Sequence, residues 1–189
     1  DKVLIDLGER FQNGGKFFVG LASPATEAIR DMSAKDRKWE MRALGRLLAL
    51  RNSLVNDKAF DYLIFDTSPG LQYSSINAIV SADIVLVVTS LDASDIQGSR
   101  RMTRELYDLF EKKTGILMNK VPAEILASKK EREKFYEHFN SVHKLPILEA
   151  VPCFCDVLRA GGTYIFTEEK PEHPFTKTLD RLATKIEHF

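Results

Sequence analysis

The sequence predicts a doubly wound, mostly parallel α/β sheet with helices on both of its faces. Two observations carry that prediction. Apolar runs of strand length, such as KFFVGL (16–21), IVLVVT (84–89) and GILMNKV (115–121), alternate with longer amphipathic segments along the chain. The run IVLVVT is apolar on both faces, which suits a central strand covered by helices on either side and joined by right-handed crossovers. With 189 residues, 44% hydrophobic and 29% charged, the chain can bury one good core, so residues 1–189 read as a single domain.

Each element has a local reason. Val3, Leu4, Leu7 and Phe11 stand at helical spacing and predict a short helix over 1–11, stopped by the turn residues Asn13-Gly14-Gly15. Lys16 to Leu21 reads as a strand broken by Ala22-Ser23-Pro24. Met41, Leu44, Leu47, Leu48, Leu50 and Leu54 predict the longest helix, from a Ser33 cap to about Asn56. In FDYLIFDTSPG (60–70), Tyr62 to Phe65 form a β-prone run that ends on the carboxylate of Asp66. Ser74 and Ser75 open a short helix to Ser81, and the strand Ile84–Thr89 follows. A helix over 95–112 turns Ile96, Met102, Leu106, Leu109 and Phe110 inward, and Gly115 to Val121 is the next strand. A charged helix over 128–140, a strand over 146–151, a short helix over 154–160 and a terminal helix over 175–187 complete the order. No internal repeat or low-complexity tract interrupts it.

Composition excludes several classes. Twenty-seven basic and 27 acidic residues balance, so total charge announces neither nucleic acid nor an anionic membrane. The two cysteines, Cys153 and Cys155, are too close in sequence to staple a large loop and read as small buried apolar residues, which fits a cytoplasmic protein. No apolar run approaches the roughly 18 residues of a membrane span, and the start lacks a signal-peptide pattern. The chain opens on Asp1, already inside an amphipathic pattern, which predicts a further N-terminal part.

Three places could carry chemistry. Ligands of open parallel sheets bind beyond the carboxyl ends of the strands, so Asp66 faces a crevice, and Pro69 and Gly70 suit a loop that approaches a phosphate closely. Asn119 ends its strand with a side-chain amide, donor and acceptor together, matching the edge of a purine. Pro122 stands where a guanine-specific site would place an Asp, which favours adenine. The segment Val151 to Ala160, VPCFCDVLRA, leaves a strand through Pro152 and could wall a base. The four histidines lie in charged or loop segments without ligand spacing, and Arg100, Arg101 and Arg104 form a basic helix face that could reach DNA or a partner. The terminal helix sets Phe175, Leu179, Leu182, Ala183 and Ile186 against Lys177, Arg181 and Lys185, and packing on the sheet is preferred to lying on a bilayer.

The block FDYLIFDTSPGLQYSSINAIVSADIVLVVTSLDASDIQGSRR, followed by GILMNKV and VPCFCDVLRAGGTYIF, resembles the MinD/ParA family of deviant Walker ATPases over residues 57–166. The resemblance implies a P-loop NTPase-like three-layer α/β/α fold that binds ATP and Mg2+. It implies that Asp66 is the second acidic motif, acting catalytically on the Mg2+ shell through water, and that Thr67, Ser68, Pro69 and Gly70 are a switch sensing the γ-phosphate. Asn119 would contact adenine, and Pro152, Cys153 and Asp156 would line base and ribose. Proteins of this kind form ATP-sandwiched homodimers, hydrolyse slowly, and trade affinity for a regulatory or cargo protein, DNA or a membrane surface between nucleotide states. One departure matters. The family's phosphate loop is absent from residues 1–189, because Gly14-Gly15-Lys16 lacks the second half of the motif and precedes a strand. The expectation is therefore an ATPase whose phosphate loop and water-orienting Asp precede this chain. The alternatives are a nucleotide-free scaffold of the same fold, or a metal or iron-sulfur carrier using Cys153 and Cys155 across a dimer.

Overall fold

The computed structural model describes residues 4–8, 15–23, 25–68, 70 and 73–189. The chain divides into two compact units, Asp1–Arg46 and Leu47–Phe189.

In the first unit, β1 (Leu4–Asp6) pairs antiparallel with β2 (Phe18–Gly20), and Leu7 N–H donates to Phe17 O at 2.8 Å. The helix expected over 1–11 is thus a strand at Leu4–Asp6. Helical spacing is a weak local signal, and a ladder with Phe18–Gly20 satisfies the same backbone groups. Asp1 to Val3 and the Asn13-Gly14 part of the expected turn lie outside the described residues. Helix α1 (Thr26–Ser33) follows. Ser33 therefore closes a helix instead of capping one. The next helix, α2 (Arg37–Asn52), starts at Asp36, whose Oδ1 accepts the Trp39 N–H at 2.8 Å. It continues into a π-turn over Ser53–Asp57.

The second unit holds a three-stranded parallel sheet in the order β3 (Ile84–Thr89), β4 (Lys113–Val121), β5 (Ile147–Pro152). Helix α3 (Tyr73–Ser81) precedes β3, and α4 (Ala93–Phe110), with 18 residues, is longer than α2 with 16. Helix α5 (Lys129–His143) joins β4 to β5, and α6 (Cys155–Ala160), α7 (Phe166–Glu169) and α8 (Pro174–Glu187) follow. On one face Val87, Ile116, Met118, Ile147 and Ala150 pack with Phe135 of α5, Met102 of α4, and Tyr136 and Phe139. On the other, Leu117, Leu148 and Val151 pack with Leu179, Leu182 and Ile186 of α8. These are the three layers expected.

Two strand expectations need correction. IVLVVT is an edge strand of this sheet among the described residues, with Val88 57% exposed, and the doubly covered centre is β4. The run Tyr62 to Asp66 is not a strand: residues 62–68 join no ladder, and Ile64 is 87% exposed. A sequence reports that a run is β-prone, whereas a strand also needs a hydrogen-bonding neighbour, and these residues have none among those described.

One irregularity in β5 links the layers. Ile116 pairs with Ile147 but Leu117 pairs with Glu149, so a bulge places one extra residue in β5. Leu148 and Val151 face α8 while Ile147 and Ala150 face α5, and Glu149 is left to bridge the two. Its Oε1 accepts the Tyr136 hydroxyl of α5 at 2.9 Å. Its Oε2 lies 3.1 Å from Lys185 Nζ and 3.4 Å from Arg181 Nε, both on α8.

Candidate functional site

Asn119 sits near the carboxyl end of β4, partly buried, with Oδ1 accepting the Lys120 N–H at 2.9 Å. Lys120, the residue before the last of β4, has φ 56, a left-handed conformation within the stretch where the β4–β5 register shifts between Met118 and Val121. That bond uses one acceptor lone pair. The NH2 group and the second lone pair stay available for a base edge. Directly beside it, Val121 is in register with Pro152, and Cys153 N–H donates to Val121 O at 2.8 Å. The structure therefore brings Asn119, Pro152 and Cys153 together on adjacent strand ends.

Asp156 lies in the first turn of α6, its side chain about half exposed. Burial works to raise its pKa. Backbone hydrogen bonds at Asp156 and Val157 and the adjacent His173 outweigh it and hold the carboxyl below its ordinary value. Cys153 and Cys155 are both exposed free thiols, which corrects the expectation of buried apolar cysteines: the loop leaving β5 runs over the surface. Among the described residues no three His, Cys, Asp or Glu side chains gather as a metal cluster.

Asp66, Thr67 and Ser68 are exposed in a stretch without regular secondary structure, tied at Ser68 O by the Ser75 hydroxyl at 3.2 Å. Tyr62 donates to Glu187 Oε1 at 2.6 Å, and that bond and charge push its phenol up. Gly70 has φ 96, a conformation that favours glycine, while Pro69 lies outside the described residues. No hydrogen bond or ion pair among the described residues engages the Asp66 carboxylate. Its free oxygens fit Mg2+, a hard cation that is held by oxygen and keeps much of its water. The base end fits a purine through Asn119. A backbone cradle for a triphosphate is not encoded in residues 1–189.

Several groups carry roles that sequence reasoning missed. Asp92 caps α4, accepting the Ser94 N–H at 2.8 Å, and Ser94 holds its carboxyl below the ordinary value. His173 meets Asp156 and caps α8, although it is 17 residues further along the chain (173 minus 156). No spacing rule links them. Arg100, Arg101 and Arg104 with Gln97 and Glu105 line a groove of about 460 Å3 on α4, and Arg101 pairs with Glu105 at 2.9 Å. His143 is buried with neither ring nitrogen hydrogen-bonded among the described residues, and burial, then the Arg100 charge, pulls its imidazole below its ordinary value.

The three-layer fold of the parallel sheet and its helices agrees with the comparison with known families. The AAA domain family model matches residues 29–143. The chain belongs to that family, and its fold is shared with solved MinD ATPases. MinD of Pyrococcus horikoshii, solved with Mg-ADP, superposes with a TM-score of 0.66 at 19% identity, covering 99% of this chain and 75% of that one. The cell division ATPase MinD of Pyrococcus furiosus gives 0.64 at 22% identity, over 90% and 65%. The MinC:MinD complex of Aquifex aeolicus gives 0.65 at 14%, over 77% and 60%. The chain thus spans less than two thirds of the latter two. Comparison of the sequence with curated proteins gives no match. No helix among the described residues is long and apolar enough to cross a membrane.

Proposed function

We propose that this chain supplies the base-binding wall and the Mg2+-sensing carboxylate of an ATP-dependent dimerisation switch of the MinD/ParA type. The observation that supports this best is the side-by-side placement of Asn119 and Pro152–Cys153 at the ends of β4 and β5, in a chain of this family. Asn119 reads adenine, Pro152 and Cys153 line the base, and Asp156 accepts from the ribose. Asp66, with Thr67, Ser68, Pro69 and Gly70, holds the water shell of Mg2+ and responds to the γ-phosphate. Bound Mg2+ neutralises phosphate charge. The protein acts in the cytoplasm as a homodimer, with a regulatory or cargo protein reading its nucleotide state. The MinC complex of the Aquifex protein is consistent with such a partner. The arginine face of α4 suits an acidic one.

The test is calorimetry of MgATP binding to the polypeptide encoded by the whole gene, beside residues 1–189. Binding by the whole gene product, with ATP preferred to GTP, is expected. Absence of binding in both samples overturns the reading. A second reading, a nucleotide-free scaffold, is favoured by one observation: the Asp66 stretch stands outside the sheet. It requires that neither sample binds. Under the first reading Asn119→Ala brings ATP and GTP affinities together, and an unchanged ratio would place base recognition elsewhere.

A further inference from the structure

The β5–α6 loop leaves Asp156 poorly anchored by packing, because α6 has no buried residue. Its anchor is polar. His173 Nε2 lies 2.8 Å from Asp156 Oδ2, and Asp156 Oδ1 accepts the Val157 N–H at 3.0 Å. His173 is also the N-cap of α8, where its Nδ1 accepts the Phe175 N–H at 3.0 Å. A ring nitrogen that accepts a backbone N–H carries no proton. The remaining proton is therefore on Nε2 and is donated to Asp156, which assigns one neutral tautomer from the bonding pattern. Pro174 at the first helical position has no N–H to compete for the cap.

Aromatic rings hold this imidazole in place. Phe154 and Phe166 approach it edge-on, with centroids at 5.1 and 5.0 Å and interplanar angles of 71° and 85°. Phe175 closes the box against both phenylalanines at 6.0 and 5.8 Å. The His173 side chain is 19% exposed against 55% for Asp156, so the carboxylate's outer face is open while its support is enclosed. A group placed by a second residue with a locked ring loses little freedom when a ligand arrives.

We propose that His173 is a positioning residue. As a neutral, Nε2-protonated imidazole it fixes the Asp156 carboxylate to accept hydrogen bonds from the vicinal hydroxyls of a ribonucleotide. The proposal rests on the reading of Asn119 to Asp156 as a base-and-ribose wall, and its test separates the two. In the whole gene product, affinity is measured for ATP and for 2′,3′-dideoxy-ATP, each with Mg2+. Wild type prefers ATP by about tenfold or more, as expected for hydrogen bonds to a charged acceptor. His173→Asn keeps a capping side chain but is too short to reach Asp156. Its preference falls to near one while ATP over GTP selectivity persists. An unchanged ratio of ATP to dideoxy-ATP in that variant overturns the positioning role alone. Absence of nucleotide binding in wild type overturns the wall reading with it. Should the variant fail to fold, nitrogen-15 NMR of the His173 ring in wild type at pH 8 decides. A protonated Nε2 with a bare Nδ1 upholds the clamp, and the opposite tautomer overturns it.

Discussion

At the scale of single residues, the buried groups divide into satisfied and unsatisfied. His143 is 5% exposed and neither ring nitrogen has a hydrogen-bond partner among the described residues, so it bears the desolvation of two polar atoms. His143→Leu, close in volume, is expected to stabilise the fold by about 1–3 kcal/mol, read from urea unfolding at pH 7. The substitution has a pH signature as well. The folded imidazole sits below its ordinary value, so the unfolded chain binds the proton first as pH falls. Wild type loses stability as pH drops through the ordinary imidazole value, and the leucine variant should not lose that part. Asp66 is the opposite case, an exposed carboxylate without a partner among the described residues. Asp66→Ala should leave the unfolding midpoint within about 0.5 kcal/mol of wild type while removing Mg2+-dependent effects of ATP on the whole gene product. ATP-driven association that survives in that variant would sink its assignment. The place of Asn119 near the end of β4 was legible because an apolar run closing on an amide is a local pattern. The His173–Asp156 contact was not, since nothing in either residue's neighbourhood names the other.

At the scale of elements, the sequence read best where the signal is local and repeated. The charged helix expected over 128–140 is found at Lys129–His143, and Ser128 and Glu131 form a reciprocal capping box at its start, with both bonds at 3.2 Å. The parallel strands β4 and β5 followed from apolar runs of the right length. The failures share a cause: β1 and the Tyr62–Phe65 run were decided by whether a neighbouring strand exists, which periodicity does not encode. The β5 bulge is a further example, because pairing register belongs to two strands at once. It puts Glu149, whose side chain is only 7% exposed, between α5 and α8. Burial works to raise this carboxyl, but the Ala150 N–H, the Tyr136 hydroxyl and Lys185 outweigh it, so the folded value lies below the ordinary one. Stability from this group is therefore present above the ordinary carboxylate value and is lost as pH falls through the folded value. Glu149→Gln should cost about 1–3 kcal/mol at pH 7 and flatten the acid limb of the stability curve, measured by denaturant unfolding across pH 3 to 7. An acid limb as steep as wild type would assign the effect to other carboxylates.

At the scale of the whole molecule, the family relationship and the layer order agree, and the part of the fold that was legible is the part that repeats. What was not legible, the place of the Asp66 stretch beside the sheet, depends on strand neighbours and not on its own residues. The clamp at Glu149 has a further effect on how this protein can meet its surroundings. Arg181 and Lys185, two of the basic groups on α8 that would greet anionic lipid headgroups, are already engaged by one carboxylate, and Lys185 also donates to Leu148 O at 2.7 Å. The apolar side of the same helix, through Leu182 and Ile186, covers the sheet. Moving α8 onto a bilayer would strip an acidic group of its counterions and uncover one whole face of the sheet in a single event. Helix α8 is thus committed inward, and its apolar side is not offered to a bilayer while it covers the sheet.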